Sequence, residues 1–141
     1  AIRSAAESNG SRILGICLGM QLLGSHSTEN GDTIGIGLIP NRVEQFSQEE
    51  LQDNKLPHVG YNSVRISKAE GLFREIPEDA FFYFNHSYRM LAEDLAGRRA
   101  TCTYGIEFLA AFERDTICGT QFHPEKSQSN GLLLLKNFLE S

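Results

Sequence analysis

The sequence predicts an α/β domain with an open, mostly parallel sheet and flanking helices. Residues 12–16 form a short apolar run, which is typical of a strand buried on both faces. The apolar spacing changes directly after this run and predicts a helix that carries Met20, Leu22 and Leu23. Near the carboxyl end, residues 131–139 repeat apolar side chains at helical spacing and predict a helix that packs on the sheet.

Local patterns predict the remaining elements. Five further segments have the composition of strands: residues 59–66, 81–84, 100–104, 108–113 and 117–122. Residues 1–9 predict the end of a helix that Gly10 closes. Residues 31–40 predict a glycine-rich loop or short strand, and residues 47–55 a polar, acidic excursion at the surface.

The order of the first elements bears on domain organisation. The 141 residues amount to about one domain, and we expect residues 1–141 to form a single domain. A helix that leads into a doubly buried strand is normally the second half of a β-α-β crossover. We therefore expect that upstream strands of the fold are lacking from this chain. An open, apolar flank of the sheet beside residues 12–16 would follow.

Composition narrows the class of protein. Hydrophobic residues make up 40% of the chain and charged residues 22%, as in an ordinary globular domain. The net charge of −5 offers no basic face to nucleic acid or to an anionic membrane. No apolar run approaches the roughly 18–20 residues of a membrane span, and the amino terminus lacks the pattern of a secretion signal.

Cysteine and histidine usage points to a cytoplasmic protein without a metal. The three cysteines are odd in number and irregular in spacing, so they do not form a disulfide framework. The four histidines and three cysteines lack the paired spacing of metal ligands, and we expect no metal and no cofactor. We expect His26 to be solvated, His58 to be structural or interfacial, and Cys102 and Cys118 to lie in the core.

The strongest local motif is a cysteine between two glycines, in the segment Gly15-Ile16-Cys17-Leu18-Gly19-Met20-Gln21. A nucleophile that follows a buried strand and precedes a helix has the layout of a nucleophile elbow. Glycine permits the tight turn, and the helix N-terminus favours a thiolate and offers N–H groups to an oxyanion. Taken alone, the segment also fits a small buried cysteine at the end of a strand.

A second motif ends the last predicted strand: Gln121-Phe122-His123-Pro124-Glu125-Lys126-Ser127. A carboxylate two residues after a histidine can hold the imidazole in one tautomer while the ring accepts a proton. An isolated His-Pro-Glu more often forms a solvated turn. Both motifs, however, follow strands whose carboxyl ends we expect at one edge of the sheet, where open α/β sheets place their sites. We expect the fold to bring the Cys17 sulfur and the His123 ring within hydrogen-bonding distance.

Together the two motifs closely resemble the signature of class I (triad-type) glutamine amidotransferases, and the resemblance runs from residue 12 to the end of the chain. It implies a flavodoxin-like fold. Four segments look like the amidotransferase subunit of imidazole glycerol phosphate synthase: residues 37–40, 57–62, 83–88 and 123–127. That resemblance implies a heterodimeric enzyme of histidine biosynthesis, in which one subunit hydrolyses glutamine and sends ammonia to a cyclase partner.

The resemblance also implies roles for individual residues. Cys17 attacks glutamine and forms a thioester, His123 moves the proton, and Glu125 orients His123. The Leu18 N–H is an oxyanion donor, and Gln21 holds the amino-acid end of the substrate. The segment of His86, Ser87 and Tyr88 lines the glutamine site, largely through backbone groups. Asn62 and Lys126 are interface candidates.

The chain departs from the family pattern in three places. The family has an upstream glycine-rich loop that supplies a second oxyanion donor, and we expect this loop to be lacking from this chain. The loss of one such donor elsewhere costs on the order of a hundredfold in rate. Tyr61 stands where tryptophan is more usual, and Asn85 where valine is. The last two changes leave open a paralogous subunit that supplies ammonia to a sugar-modifying enzyme of surface-polysaccharide synthesis.

Two other classes of function also remain open. One is a stand-alone γ-glutamyl hydrolase that uses the same cysteine, although Gln21 and residues 83–88 match amidotransferases instead. The other is a non-catalytic subunit that docks on a synthase and regulates it. All three residues of the expected triad, Cys17, His123 and Glu125, are present, which argues against a non-catalytic subunit.

Overall fold

The computed structural model describes residues 1–29 and 31–140. The helices are α1 (Ile2–Ser8), α2 (Leu18–Leu22), α3 (Gln48–Leu51) and α4 (Gln128–Glu140), with short 3₁₀ helices at Gly71–Phe73 and Pro124–Lys126. The strands are β1 (Ile13–Ile16), β2 (His26–Ser27), β3 (Thr33–Ile34), β4 (Val43–Gln45), β5 (His58–Ile66), β6 (Ala80–His86), β7 (Tyr88–Met90), β8 (Arg98–Tyr104), β9 (Ile106–Arg114) and β10 (Ile117–Thr120).

The main sheet has six strands in the order β1-β10-β9-β8-β5-β6. Strand β1 runs parallel to β10, whereas every other neighbouring pair in this order is antiparallel. The α/β class is confirmed, but the expectation of a mostly parallel sheet is wrong for the described strands. The reason is the length of the connections: Gly105 alone joins β8 to β9, and two residues join β9 to β10. Connections this short can form only hairpins, because a parallel pair requires a crossover of a dozen or more residues.

A second, smaller sheet has the order β3-β2-β4-β7. Its strands are two or three residues long, and β4 pairs antiparallel with β7 in the register Val43↔Met90. The sequence predicted only a loop or short strand in residues 31–40 and no strand at β2, β4 or β7. Strands this short carry no alternation that a sequence pattern can reveal.

The strands and helices predicted from patterns are present, but their bounds differ: β5, β6, β8, β9 and α4 are longer than predicted, whereas α1, β1 and β10 are shorter and α2 ends before Leu23. Strand β9, for example, extends the segment 108–113 at both ends, and α4 begins three residues before Gly131. Helix α1 ends before Gly10, whose φ of +63° is the left-handed conformation expected of a residue that closes a helix. In the polar segment 47–55 the chain forms helix α3, which a capping box between Ser47 and Glu50 begins.

The main sheet lies between two clusters of buried side chains. Because neighbouring strand residues face opposite sides, Phe108 and Leu109 of β9 belong to different clusters. The first cluster includes Leu134 of α4, and the second includes Met20 of α2. Helices therefore cover both faces of the sheet.

Strand β1 is an edge strand: in the described part of the chain, no strand pairs with the side opposite β10. The absence of upstream strands stays a prediction. Among the described residues, no helix is long and apolar enough to cross a membrane.

Candidate active site

Cys17 occupies a sharp turn between β1 and α2. Its φ of 54° and ψ of −108° are unusual for a residue with a side chain, as expected of a nucleophile elbow. The turn needs Gly15, because a β-carbon there would lie 2.6 Å from the carbonyl oxygen of Gly19. The backbone N–H of Cys17 donates to the carbonyl oxygen of Thr120 at 2.7 Å, which ties the turn to β10.

His123 follows β10 and precedes the short 3₁₀ helix Pro124–Lys126. Its Nδ1 lies 3.0 Å from Oε2 of Glu125. A carboxylate accepts, so Nδ1 carries the hydrogen of the neutral ring and Nε2 is left as the basic nitrogen. The backbone N–H of His123 donates to the carbonyl oxygen of Tyr83 at 2.8 Å, which holds the segment against β6.

Ser127 is a positioning residue that the sequence reasoning missed. Its hydroxyl donates to the carbonyl oxygen of His123 at 2.5 Å and accepts from the backbone N–H of Tyr83 at 2.9 Å. The side chain is buried, so these bonds form away from water. Ser127 thereby closes the turn that presents His123 and Glu125. The sequence signal that could have identified Ser127 is its position in residues 123–127, one of the segments that resemble the amidotransferase subunit.

The register of β1 and β10 brings the two motifs together. Ile16 pairs with Thr120 in parallel, so Cys17 and His123 leave the same edge of the sheet. Both contact β6: the Cys17 sulfur lies 3.8 Å from the carbonyl oxygen of Asn85, and His123 bonds to Tyr83. In the described part of the chain the sulfur makes no hydrogen bond to His123, contrary to the expectation. Such bonds are commonly loose before substrate binds.

The charge state of Cys17 follows from its surroundings. Burial raises the pKa of the thiol, and this outweighs the lowering by the Leu18 backbone N–H and the Gln121 amide. Glu125 raises the pKa further, and Lys126 lowers it. The sulfur is therefore protonated at neutral pH and requires a base to attack a carbonyl.

A cleft of about 410 Å³ opens beside the sulfur. The elbow and the start of α2, the junction of β6 and β7, the end of β4 and one loop position line it: Cys17, Leu18, Gln21, Glu29, Gln45, Asn85, His86, Ser87 and Tyr88. All five residues predicted to contact substrate are among them. Glu29 also lines the cleft, and sequence reasoning missed it, because a lone carboxylate in a polar loop gives no signal of its own.

The Gln21 side chain is fixed by two acceptors. Its Nε2 donates to the backbone carbonyl oxygen of Tyr88 and to Oε1 of Gln121, each at 3.1 Å. The Tyr88 carbonyl also accepts from Nδ1 of His86 at 2.9 Å, so it is engaged within the protein. Within the described residues, Oε1 of Gln21 has no hydrogen-bond partner from the chain.

His58 and His86 form a buried, neutral pair behind the cleft. His58 Nδ1 lies 2.9 Å from His86 Nε2, and the His58 ring stacks between Phe84 and Tyr104. Burial, and then the neighbouring His86, lower the pKa of His58 to about 4. Burial also lowers the pKa of His86 to about 4, and His123 adds to this effect, against the Tyr88 carbonyl. The sequence predicted a structural or an interfacial role for His58, and its burial favours the structural one.

The interface candidates fall on two different faces of the β5–β6 pair. Asn62 lies on the inner face, where its amide donates to Thr103 and bonds to His58. Lys126 is exposed, and its ammonium group lies 5.9 Å from the centre of the Tyr83 ring. Its backbone carbonyl accepts from the Tyr61 hydroxyl at 2.8 Å. An interface role for both residues stays a prediction, although the Asn62 side chain is already engaged.

The remaining histidine and cysteine predictions have mixed outcomes. His26 is half-buried rather than solvated, because it lies in β2 beside Ser25. Cys102 and Cys118 are buried, as predicted. Burial raises the pKa of Cys102 to about 12, and burial together with Glu113 raises the pKa of Cys118 to about 11. Neither thiol is therefore a nucleophile.

A comparison with models of protein families shows to which family the chain belongs. The model of the class-I glutamine amidotransferase family matches residues 1–141. The chain belongs to that family. The family resemblance that the two motifs predicted is confirmed. Cys17 lies in the first of these motifs, and His123 and Glu125 lie in the second.

Curated relatives narrow the resemblance within the class-I amidotransferases. The protein named imidazole glycerol phosphate synthase subunit HisH from Geobacter sulfurreducens is 46% identical over 134 residues, which are 93% of this chain and 64% of the relative. The protein of the same name from Moorella thermoacetica is 44% identical over 140 residues, with 99% and 64% coverage. The chain thus spans slightly less than two thirds of the length of these relatives.

Solved structures share the fold. A glutamine amidotransferase from Thermotoga maritima superposes with a TM-score of 0.61 at 18% identity, over 99% of this chain and 60% of that one. Another crystal structure of a glutamine amidotransferase gives a TM-score of 0.66 at 17% identity, with 99% and 65% coverage. These likenesses confirm the α/β fold of the class-I amidotransferases.

Proposed function

We propose that the protein is the glutaminase subunit of an imidazole glycerol phosphate synthase, which hydrolyses glutamine and passes ammonia to a cyclase subunit in histidine biosynthesis. The observation that carries this proposal is the site itself. A cysteine on a strained elbow and a histidine–carboxylate pair stand at one sheet edge, beside a cleft of about 410 Å³. The two HisH relatives support the choice of pathway.

The first chemical step is attack on the side-chain amide of glutamine. Because the pKa of Cys17 is raised, the thiol must lose its proton as it attacks, and Nε2 of His123 accepts that proton. The sulfur–carbon bond forms and the carbonyl oxygen becomes an oxyanion. The backbone N–H of Leu18, beside the sulfur at the start of α2, donates to that oxyanion.

The next steps release ammonia and then glutamate. His123 returns its proton to the departing nitrogen, and the carbon–nitrogen bond breaks to leave a glutamyl thioester on Cys17. A water molecule that gives its proton to His123 then attacks the thioester carbonyl. The carbon–sulfur bond breaks, the sulfur takes back a proton, and glutamate leaves. Glu125 keeps Nδ1 of His123 protonated throughout, so that Nε2 is always the nitrogen that exchanges protons.

The cleft offers complementary groups to the amino-acid end of glutamine. The free Oε1 of Gln21 and the carboxylate of Glu29 are both acceptors, which suits an ammonium group. Gln21 is held rigidly by Tyr88 and Gln121, so it binds without losing rotational freedom.

We place the synthase partner on the outer face of the β5–β6 pair, beside the catalytic residues. The register sets Val59, Tyr61 and Phe81 on this face, and their exposed fractions are 53%, 51% and 57%. Aromatic side chains are enriched at protein interfaces, and an exposed apolar patch often marks a docking site. Lys126 lies beside this face, over the Tyr83 ring. A partner docked here would receive ammonia where His123 releases it. The three free cysteines suit a cytoplasmic reaction.

Glutamate release by the full-length protein tests the proposal, measured with and without the cyclase subunit. Cys17→Ala and His123→Ala should each abolish release in both conditions. Cys102→Ala is the matched control, because that thiol is buried in β8 and takes no part in the chemistry. Full activity in the Cys17 or His123 variant would refute the assignment, and activation by a sugar amidotransferase instead of the cyclase would refute the pathway.

A further inference from the structure

We propose that Gln121 is a further catalytic residue, whose side-chain amide donates a hydrogen bond to the Cys17 sulfur and stabilises it as a thiolate. This inference rests on the proposed function of Cys17 as nucleophile. The Nε2 atom of Gln121 lies 3.7 Å from Sγ of Cys17, within the usual range for a donor to sulfur. Gln121 has no exposed surface, so water cannot take the place of this donor.

The direction of the Gln121 amide is determined by its neighbours. The backbone carbonyl of Tyr88 can only accept, so the group that Gln21 presents to it must be its NH₂. The same nitrogen of Gln21 lies 3.1 Å from the side-chain amide of Gln121, which must therefore present its oxygen, Oε1, to Gln21. The other end of the Gln121 amide, its NH₂, is then the end that faces the sulfur.

The Tyr88 carbonyl is itself held from behind by the histidine pair. Nδ1 of His86 donates to this carbonyl, so Nε2 of His86 is an acceptor and the facing Nδ1 of His58 is a donor. Nε2 of His58 then accepts from the Asn62 amide at 3.3 Å, and that amide also donates to Thr103. Every link allows one direction only. The orientation of the donor at the sulfur is therefore built into the core.

A donor in this place favours the thiolate at two steps of the reaction. When His123 removes the thiol proton, negative charge appears on sulfur and the bond from Gln121 becomes charge-assisted, which roughly doubles its strength. When water has attacked the thioester, the sulfur leaves with the electron pair of the carbon–sulfur bond, and the same donor stabilises it. The bond to Gln121 already lowers the pKa of Cys17 in the resting site, against burial.

Two substitutions separate the contact with sulfur from the contact with Gln21. Gln121→Glu keeps an acceptor for Nε2 of Gln21 and replaces the donor at the sulfur by a carboxylate oxygen. Gln121→Met has a similar volume and removes both contacts. The first variant should lower kcat with little change in KM for glutamine, whereas the second should also raise KM.

The decisive measurement needs no glutaminase activity. The rate at which iodoacetamide alkylates Cys17 is followed against pH in the full-length protein, with the modified residue identified by peptide mass spectrometry. Loss of one hydrogen bond to a charged group should move the midpoint of this profile upward by about 1 on the pH scale, which is a tenfold change in the ionisation constant. Gln121→Glu should move it further, because its carboxylate repels the thiolate.

Asn137→Leu is the matched control. This buried amide donates to the carbonyl oxygens of Leu72 and Arg74, and it lies in α4. Its loss should lower stability without moving the alkylation midpoint. Circular dichroism shows which Gln121 variants fold. A buried carboxylate can disturb folding, so if Gln121→Glu does not fold, the proposal is tested with Gln121→Met alone. An unchanged midpoint in either folded variant overturns the proposal. If the midpoint shifts in the variants but the wild-type protein releases no glutamate with or without the cyclase subunit, the proposed function alone is overturned.

Discussion

A β-carbon on Gly131 would lie 1.8 Å from the carbonyl oxygen of Pro124, so helix α4 and the segment of His123 and Glu125 meet through their backbones. No side-chain rearrangement can relieve a contact of this kind, because Pro124 oxygen and carbon are main-chain atoms. The helix and the segment of His123 and Glu125 are consequently held as one unit, and Ser127 at their junction bonds to the His123 carbonyl.

Gly131→Ala should therefore impair both stability and activity. The added methyl group must push Pro124 away, which displaces the neighbouring His123 and Glu125, and overpacking of this kind costs about 1–3 kcal/mol. We expect a lower free energy of unfolding in urea and at least a tenfold fall in kcat for glutamate release. Ser129→Ala, at an exposed position of the same helix, is the control. Wild-type activity in Gly131→Ala would show that the segment can move freely.

Glu125→Gln should remove the restraint on the His123 tautomer without changing the size of the side chain. The amide can present its NH₂ to Nδ1 and thereby favour the hydrogen on Nε2, which would then no longer be a base. We expect kcat to fall by about 10²–10⁴-fold, as in comparable triads, with KM nearly unchanged. Glu107→Gln, an exposed carboxylate in β9, should behave as the wild type. If kcat of Glu125→Gln falls by less than about threefold, Glu125 does not orient His123.

Tyr61→Ala and Phe81→Ala should weaken binding of the synthase partner. Both side chains are exposed on the outer face of β5 and β6, and truncation of a buried interface aromatic typically reduces affinity about tenfold or more. Titration calorimetry with the cyclase subunit measures the change. Leu132→Ala is the control, since Leu132 is also an exposed apolar residue but belongs to α4. Equal losses for Leu132 and the two aromatic residues would place the interface elsewhere.

The His58–His86 pair should make the fold sensitive to mild acid. The pKa of each is lowered to about 4 in the folded protein, against an ordinary 6.5. Between these values the unfolded chain binds more protons than the folded one, so the free energy of unfolding falls as the pH falls from 6.5 toward 4. One histidine can contribute roughly 3 kcal/mol to this loss.

Urea denaturation at pH 7 and at pH 4.5 tests this dependence. His58→Gln keeps a donor toward His86 but does not titrate, so it should lose less stability between the two pH values than the wild type. His26→Gln, which replaces a histidine outside the pair, should lose as much as the wild type. Identical losses in His58→Gln and the wild type would mean that the pair is not the source of the acid sensitivity.

The sequence alone was enough to predict the family and to propose the chemistry of the site. The glycine-flanked Cys17 and the pair of His123 and Glu125 are local motifs. A local motif can be recognised in the sequence because it depends only on neighbours within a few residues. The same holds for α2, α4 and the longer strands, whose apolar spacing repeats over one or more turns or pleats.

What only the tertiary structure decided depends on residues distant in sequence. Strand direction is an exception, because the connections around β9 are local and are already short between the predicted strands. The short strands β2, β4 and β7, in contrast, exist only because they pair within one sheet. Gln121 contacts a sulfur 104 positions earlier in the chain, and Asn62 turned out to bond to His58 on the inner face. A sequence pattern specifies spacing along a segment, whereas the partner of a buried polar group is chosen by packing, and packing joins segments that no spacing relates.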